Sequence, residues 1–126
     1  RRYYKIFNID IMKKLVRESL NEVKHYIPFT KKHLSLEEMA GEISSCVYIT
    51  YHGDDVVYEP NDEDTAEVEE IIMNNVDINK LRYTDHDEPL TEDGLDVFGD
   101  EEWILEQVPE KEILKLYNAL KASKFM

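Results

Sequence analysis

The stretch 35-SLEEMAGEISSCVYITYHGDDVVYE-59 decides how this chain folds, because its two halves speak for different secondary structures. Ser35-Leu36-Glu37-Glu38 has the form of a capping box, in which Ser35 and Glu38 satisfy each other's end of a new helix. A helix over about 36–44 follows from it, weakened by Gly41. From residue 46 the chain turns β-branched and aromatic. CVYITY (46–51) and VVYE (56–59) flank HGDD, a short turn containing Gly53, and together they predict a β-hairpin. A lone hairpin is marginal in water, so a third strand is expected, and KLRYT (80–84) suits that place. Tyr48 and Tyr51 differ in parity along such a strand and would face opposite sides, leaving at least one at the surface.

On the amino-terminal side, Ile11, Met12, Leu15, Val16, Leu20, Val23 and Ile27 recur near helical spacing, with Lys13, Lys14, Arg17, Glu18 and Lys24 on the other face. Pro28 ends that pattern. On the other side, Pro60 and Asn61-Asp62 introduce a helix over about 62–75. Ala66, Val68, Ile71, Ile72 and Val76 form its buried side, acids fill its first turn, and Asn74-Asn75 stops it. Trp103, Ile104 and Val108 mark a short helix, and Pro109 opens the last one. There Ile113, Leu114, Tyr117 and Leu120 share a face, while Lys111, Lys115, Lys121 and Lys124 are left to solvent. The expected fold is α+β: about four helices with a small antiparallel sheet of two or three strands. With no internal repeat and no Gly/Ser-rich linker, residues 12–126 read as one domain and residues 1–11 as an amino-terminal extension.

The chain has 126 residues, 42% of them apolar, which is enough for a real core. Cys46 is the single cysteine, so neither a disulfide framework nor a Cys-based zinc site is available. No apolar run approaches the roughly 18 residues needed to span a bilayer, and the expected location is cytoplasmic. The net charge of −13 hides a sharp partition. Residues 1–33 carry nine basic and three acidic groups, net +6; residues 34–110 carry two basic and 24 acidic groups, net −22; residues 111–126 carry four basic and one acidic, net +3. A surface at net −22 does not bind a nucleic-acid backbone, because counterion release needs Lys and Arg against phosphates. It suits a protein that does bind one.

Catalytic motifs are thin. His52-Gly53-Asp54 followed by His86 matches the two-His, one-carboxylate set of non-haem iron sites, and a small metal-dependent enzyme using His52, Asp54 and His86 is the enzymatic alternative. That chemistry sits on a large jelly-roll scaffold, and Gly53-Asp54 also fits a plain turn. An EF-hand starting at Asp85 meets Pro89 and Leu90 at its fifth and sixth positions, and one starting at Asp62 has no Gly at the sixth. Loose cation binding by Asp85, Asp87, Asp93 or Asp96 is the remaining metal reading. Cys46 sits in an apolar run where a thiol is inert, and neither a G-x-S-x-G turn nor a Gly-rich phosphate loop is present. The chain is therefore expected to be no enzyme and to hold no cofactor or metal.

What is left is the acids. Glu63, Glu67 and Glu70 fall at i, i+4 and i+7 on the helix over 62–75, a row of like charges that costs about 0.2–0.5 kcal/mol a pair. DHDEPLTEDGLDVFGDEE (85–102) places nine acids in eighteen positions with no Lys or Arg. Pro89, Gly94 and Gly99 make it an irregular connector, and Leu90, Leu95, Val97 and Phe98 are able to pin it to the core. Glu63, Glu67, Glu70, Asp93, Asp96, Asp100, Glu101 and Glu102 are the expected partner contacts. The expected function is a non-enzymatic acidic protein that docks on a basic, nucleic-acid-binding protein and inhibits it by imitating a phosphate row. A structural, assembly or adaptor protein, such as a virion component, is the alternative. Met12–Glu22, MKKLVRESLNE, resembles the openings of small proteins encoded by tailed bacteriophages of gut and marine Bacteroidota. In size and charge the chain is similar to small acidic phage proteins that block restriction or CRISPR nucleases. That resemblance implies a viral or mobile-element source and action in the host cytoplasm.

Overall fold

The structure is a computed structural model that describes residues 23–53, 62–83 and 88–126. It begins with an antiparallel hairpin, β1 (Lys24–Ile27) and β2 (Lys32–Ser35), in the register Lys24↔Ser35 to Ile27↔Lys32. Then come α1 (Leu36–His52), α2 (Asp62–Asn75), a 3₁₀ turn at Ile78–Lys80, a 3₁₀ segment at Glu92–Gly99, α3 (Glu101–Gln107) and α4 (Glu110–Lys121). The α+β class holds, with a two-stranded sheet. Helical elements exceed the expected four once the two 3₁₀ segments are included.

The described part of the deciding stretch is one helix from Leu36 to His52. Leu36, Met39, Ala40, Ile43, Cys46, Val47 and Thr50 are all buried, a stripe at i, i+3, i+4 and i+7 that continues across the expected strand. Burial of that stripe outweighs the local β preference of CVYITY, whose propensity cost is a few tenths of a kcal/mol a residue. The Ser35 half of the capping box is formed: Glu38 N–H donates to Ser35 Oγ at 3.2 Å, while it is that hydroxyl that donates to the Glu38 carboxylate, at 3.3 Å. Thr50, a buried hydroxyl, donates to the Cys46 carbonyl one turn back at 2.8 Å. Gly53 closes the helix at φ 81°, its N–H on the Ile49 carbonyl at 2.7 Å. It is a helix stop rather than a hairpin turn. The predicted partner strand at 56–59 lies outside the described residues.

Two other expectations are corrected. Ile27, assigned to the end of a first helix, is the last residue of β1; the part of that helix before residue 23 lies outside the described residues. Pro28 did mark a break, but the chain before it is extended. Thr30 and Lys31 N–H both donate to the Ile27 carbonyl, at 3.2 and 2.9 Å, and Lys31 takes φ 54° to close the turn. Among the described residues of 80–84 the third strand does not form: Lys80 ends a 3₁₀ turn, and Arg82 forms an isolated bridge to Pro89.

The carboxy-terminal half follows the sequence closely. In α2, Val68 and Ile72 are buried and Ile71 is half-buried, though Ala66 is exposed. Val76 is buried just past its end, where Asn75 Nδ2 donates to the Ile71 carbonyl at 2.7 Å. The acidic connector is pinned: Leu90, Leu95 and Phe98 are buried and Val97 half-buried. Phe98 meets Trp103 edge-on at 5.2 Å, and the Trp103 indole N–H donates to the Arg82 carbonyl at 3.2 Å. Ile113, Leu116, Tyr117 and Leu120 turn α4 against α1 and α2, and the Tyr117 hydroxyl donates to Glu42. Helix α1 packs against α4, the connector and α3.

Phe98 is fully buried within the connector, so Phe98→Ala removes ring packing against Trp103 as well as buried area. We expect it to lower the unfolding free energy by about 3–5 kcal/mol in urea titrations followed by circular dichroism. A loss below about 1 kcal/mol would mean the connector is not held by its apolar residues.

Candidate partner-binding face

The eight acids singled out from the sequence divide into two groups by what holds them. Glu63, Glu67 and Glu70 lie exposed on α2 as the spacing requires. The row is not free, however. Lys124, beyond α4, reaches Asp64 Oδ1 at 3.0 Å and Glu67 Oε2 at 3.5 Å. Its ammonium pKa is raised, first by the hydrogen bond to Asp64 and then by the charges of Asp64 and Glu67. Lys124 is exposed, so the contact neutralises charge more than it stabilises the fold. Glu63 and Glu70 make no ion pair among the described residues.

The second group lies on and after the connector. Asp93 and Asp96 are exposed. Asp100 has a structural role: its carboxylate accepts the Glu102 and Trp103 N–H groups at 3.0 and 3.3 Å and so caps α3. Glu101 and Glu102 follow in the first turn, where the helix dipole favours anions. Glu101 is half-buried over Gly41, where an added Cβ would lie 3.5 Å from its Oε1. A Cβ at Gly41 would make ordinary contact with that carboxylate, so the glycine marks where α3 faces α1 and is not required for the approach.

That approach builds a cleft. Glu37, Glu101, Glu102 and Glu106 line it with Leu105, enclosing about 340 Å³. Among the described residues Glu37, Glu101 and Glu102 carry no ion pair. Sequence reasoning placed Glu101 and Glu102 here and missed Glu37 and Glu106. Glu37 was read only as part of a capping box, and no local signal pointed to its place in the cleft. The cleft has the features that receive a Lys or Arg side chain: an apolar wall for its methylene stem and carboxylates for its head.

Tyr51 meets an acid of α2 that lies outside both groups. Its hydroxyl donates to Glu69 Oε1 at 2.6 Å, joining α1 to α2. Burial foremost, then the Glu69 hydrogen bond and the Glu69 and Asp96 charges, raise its pKa well above the usual phenol value. Asp96 on the connector and Glu69 on α2 thus act on one phenol. Tyr48 is 56% exposed and Tyr51 half-buried, as two neighbouring faces of a helix rather than opposite faces of a strand. The Tyr48 ring leans on His52, 4.6 Å between centroids.

The residues of the enzymatic alternative fall only partly within the described residues. His52 is exposed against Tyr48, and Asp54 and His86 lie outside the described residues, as do Asp85 and Asp87. Among the described residues no group of three or more His, Cys, Asp or Glu side chains is placed to hold a metal ion. No helix among the described residues is long and apolar enough to cross a membrane. Cys46 is buried, its thiol directed to the Phe125 carbonyl at 3.7 Å, and burial pushes its pKa up to about 11.

A thiol so raised stays protonated at neutral pH and is a poor nucleophile. We expect Cys46 to react with iodoacetamide far more slowly in the folded protein than in urea. Stability should be unaffected by this group below the ordinary thiol range and should fall as pH rises from there toward 11, because the unfolded chain ionises first. That part of the slope should vanish in Cys46→Ala. Equal alkylation rates folded and unfolded would show that the thiol is accessible. Comparisons with protein-family models, with characterised proteins and with solved structures find no match for this chain.

Proposed function

We propose that this is a non-enzymatic binding protein whose acidic face docks on the basic groove of a nucleic-acid-binding protein and blocks it by occupation. The observation that carries the reading is the cleft lined by Glu37, Glu101, Glu102 and Glu106, where four carboxylates gather around Leu105 and the first three carry no ion pair among the described residues. Holding like charges together costs the folded chain free energy, and a cationic partner returns it on binding. Seven of the eight acids chosen from the sequence are exposed, with Glu101 half-buried in the cleft wall. Asp93 and Asp96 extend the face along the connector, and Glu63 and Glu70 extend it along α2.

A surface of this sign draws a basic partner by long-range steering, so association is fast and slows with added salt. The resemblance of Met12–Glu22 to phage protein openings fits a viral or mobile-element source and, with it, a host protein as the partner. Because Glu67 is already paired to Lys124 and Asp100 is committed to capping α3, the weight of contact shifts toward Glu101, Glu102 and Glu37.

The paired substitution Glu101→Lys with Glu102→Lys should therefore slow association with a basic partner at least about tenfold, and Glu63→Lys with Glu70→Lys less. The measurement is capture from host lysate at low and high salt, followed by association rates on the captured nucleic-acid-binding proteins. Retention of the same proteins by the Glu101/Glu102 variant at unchanged rates would overturn the reading.

A further inference from the structure

The acidic face leaves one feature of the molecule unexplained. Of the large apolar side chains exposed among the described residues, Val23 (51%), Tyr26 (54%) and Phe29 (65%) fall within seven positions of the β1–β2 hairpin. The same segment carries Lys24, Lys31 and Lys32, all exposed and none in an ion pair among the described residues. Residues 23–33 contain no Asp or Glu, in a chain that has 28 of them. The hairpin is thus apolar and cationic where the rest of the described surface is largely anionic.

Its geometry separates an anchored side from a free one. Ile27 is buried and Leu34 half-buried, and they fix the inner face to the core, while His25 lies 3.1 Å from Glu110, an ion pair when the ring is protonated. The outer face pairs Tyr26 with His33 across the strands, their rings 5.2 Å apart. Phe29 and Lys31 stand at the tip, beyond the turn closed on Ile27. Contiguous exposed apolar groups of this kind mark interaction surfaces, and Tyr and Phe are enriched at their centres.

We propose that the hairpin is one half of a head-to-tail contact between copies of this chain, its Phe29–Lys32 tip seated in the carboxylate cleft of a neighbouring copy. The charges match: lysines of the tip, without ion-pair partners, face Glu37, Glu101 and Glu102, also without them. The apolar parts match too, since Leu105 in the cleft wall offers Phe29 the contact that a phosphate backbone does not. At about 340 Å³ the cleft is the size of a few side chains, suited to a hairpin tip rather than to an extended polymer. The net negative charge of both copies opposes the contact only over distances that salt screens beyond about 8 Å. The two surfaces differ, so the contact is heterologous, and repetition of it generates rings or open chains.

Two variants test it in sedimentation velocity on the full chain. One, Lys31→Glu with Lys32→Glu, spoils the tip and keeps the cleft; the other, Glu101→Gln with Glu102→Gln, keeps the tip and spoils the cleft. The wild type should sediment faster with rising concentration, and each variant alone should associate at least about tenfold more weakly. An equimolar mixture of the two variants should recover association and stop at a dimer, because it contains one intact tip and one intact cleft per pair. That recovery also shows that both variants fold. A wild type that stays monomeric, variants that associate like the wild type, or a mixture that does not associate would each overturn the proposal. Binding of a fluorescein-labelled single-stranded oligonucleotide by the wild type, lost in the lysine variant, would overturn it in favour of a nucleic-acid surface. The lysine variant keeps the cleft, so its capture of basic proteins reports on the proposed function independently.

Discussion

Leu36, Met39, Ala40, Ile43, Cys46, Val47 and Thr50 leave water together only if the seventeen residues Leu36–His52 form one helix. Strand geometry over the second half would send alternate residues to opposite faces and split Cys46 and Val47 between them. As a helix, α1 gives the connector, α3 and α4 one common surface to pack on. At roughly 25 cal/mol per Å² of apolar area, the burial of several such side chains outweighs any local β preference. The remaining described elements take their positions from that helix. The connector presses Leu95 and Phe98 inward, α3 crosses where Gly41 leaves the backbone bare, and α4 supplies Tyr117 to Glu42.

That arrangement also governs the electrostatics. The carboxy-terminal lysines are used inside the molecule: Lys121 meets Glu42 at 3.4 Å, and Lys124 bridges Asp64 and Glu67. They neutralise acids of α1 and α2 and leave the connector and the start of α3 alone. The negative charge that remains is therefore concentrated rather than spread. A solubilising surface would do as well with the acids dispersed, since like charges at close range cost folding free energy without adding solubility. Concentration beside an apolar wall is what distinguishes a receiving surface from a merely charged one.

How far the sequence reached follows from where its signals were local. Ser35 with Glu38, Asn75, Asp100 and Pro109 act within one turn of helix, so their roles were visible or nearly so in the residues themselves. The connector's attachment was legible for the same reason: Leu90, Leu95 and Phe98 are apolar residues among acids and have nowhere else to go. The stretch from Cys46 to His52 misled because five β-branched or aromatic residues outvoted a helical stripe that had begun ten positions earlier. Counting the period across the whole of residues 36–52, rather than within each half, would have recovered it. The hairpin at 24–35 was hidden in the opposite way, since Val23 and Ile27 happen to continue a helical spacing into an extended segment. Glu37 and Glu106 could not be found from sequence, because the cleft they share exists only once α3 crosses α1.

The two proposals meet at Glu101 and Glu102, and the meeting has a consequence for both. A cleft that accepts the hairpin tip of a copy and the basic groove of a partner cannot hold both at once, so the two occupants compete. Mass action then sets the outcome: each occupant reduces the apparent affinity of the other in proportion to its own concentration over its dissociation constant. Self-association need not be strong to matter under this rule. At a free-tip concentration equal to the self-dissociation constant, about half the clefts are taken and the partner's apparent affinity falls about twofold. A partner whose groove offers arginines in bidentate geometry gains more from each carboxylate than the lysines of the tip do. The tip is therefore the weaker ligand for the cleft, able to cover it in the absence of a target and displaced when one is present.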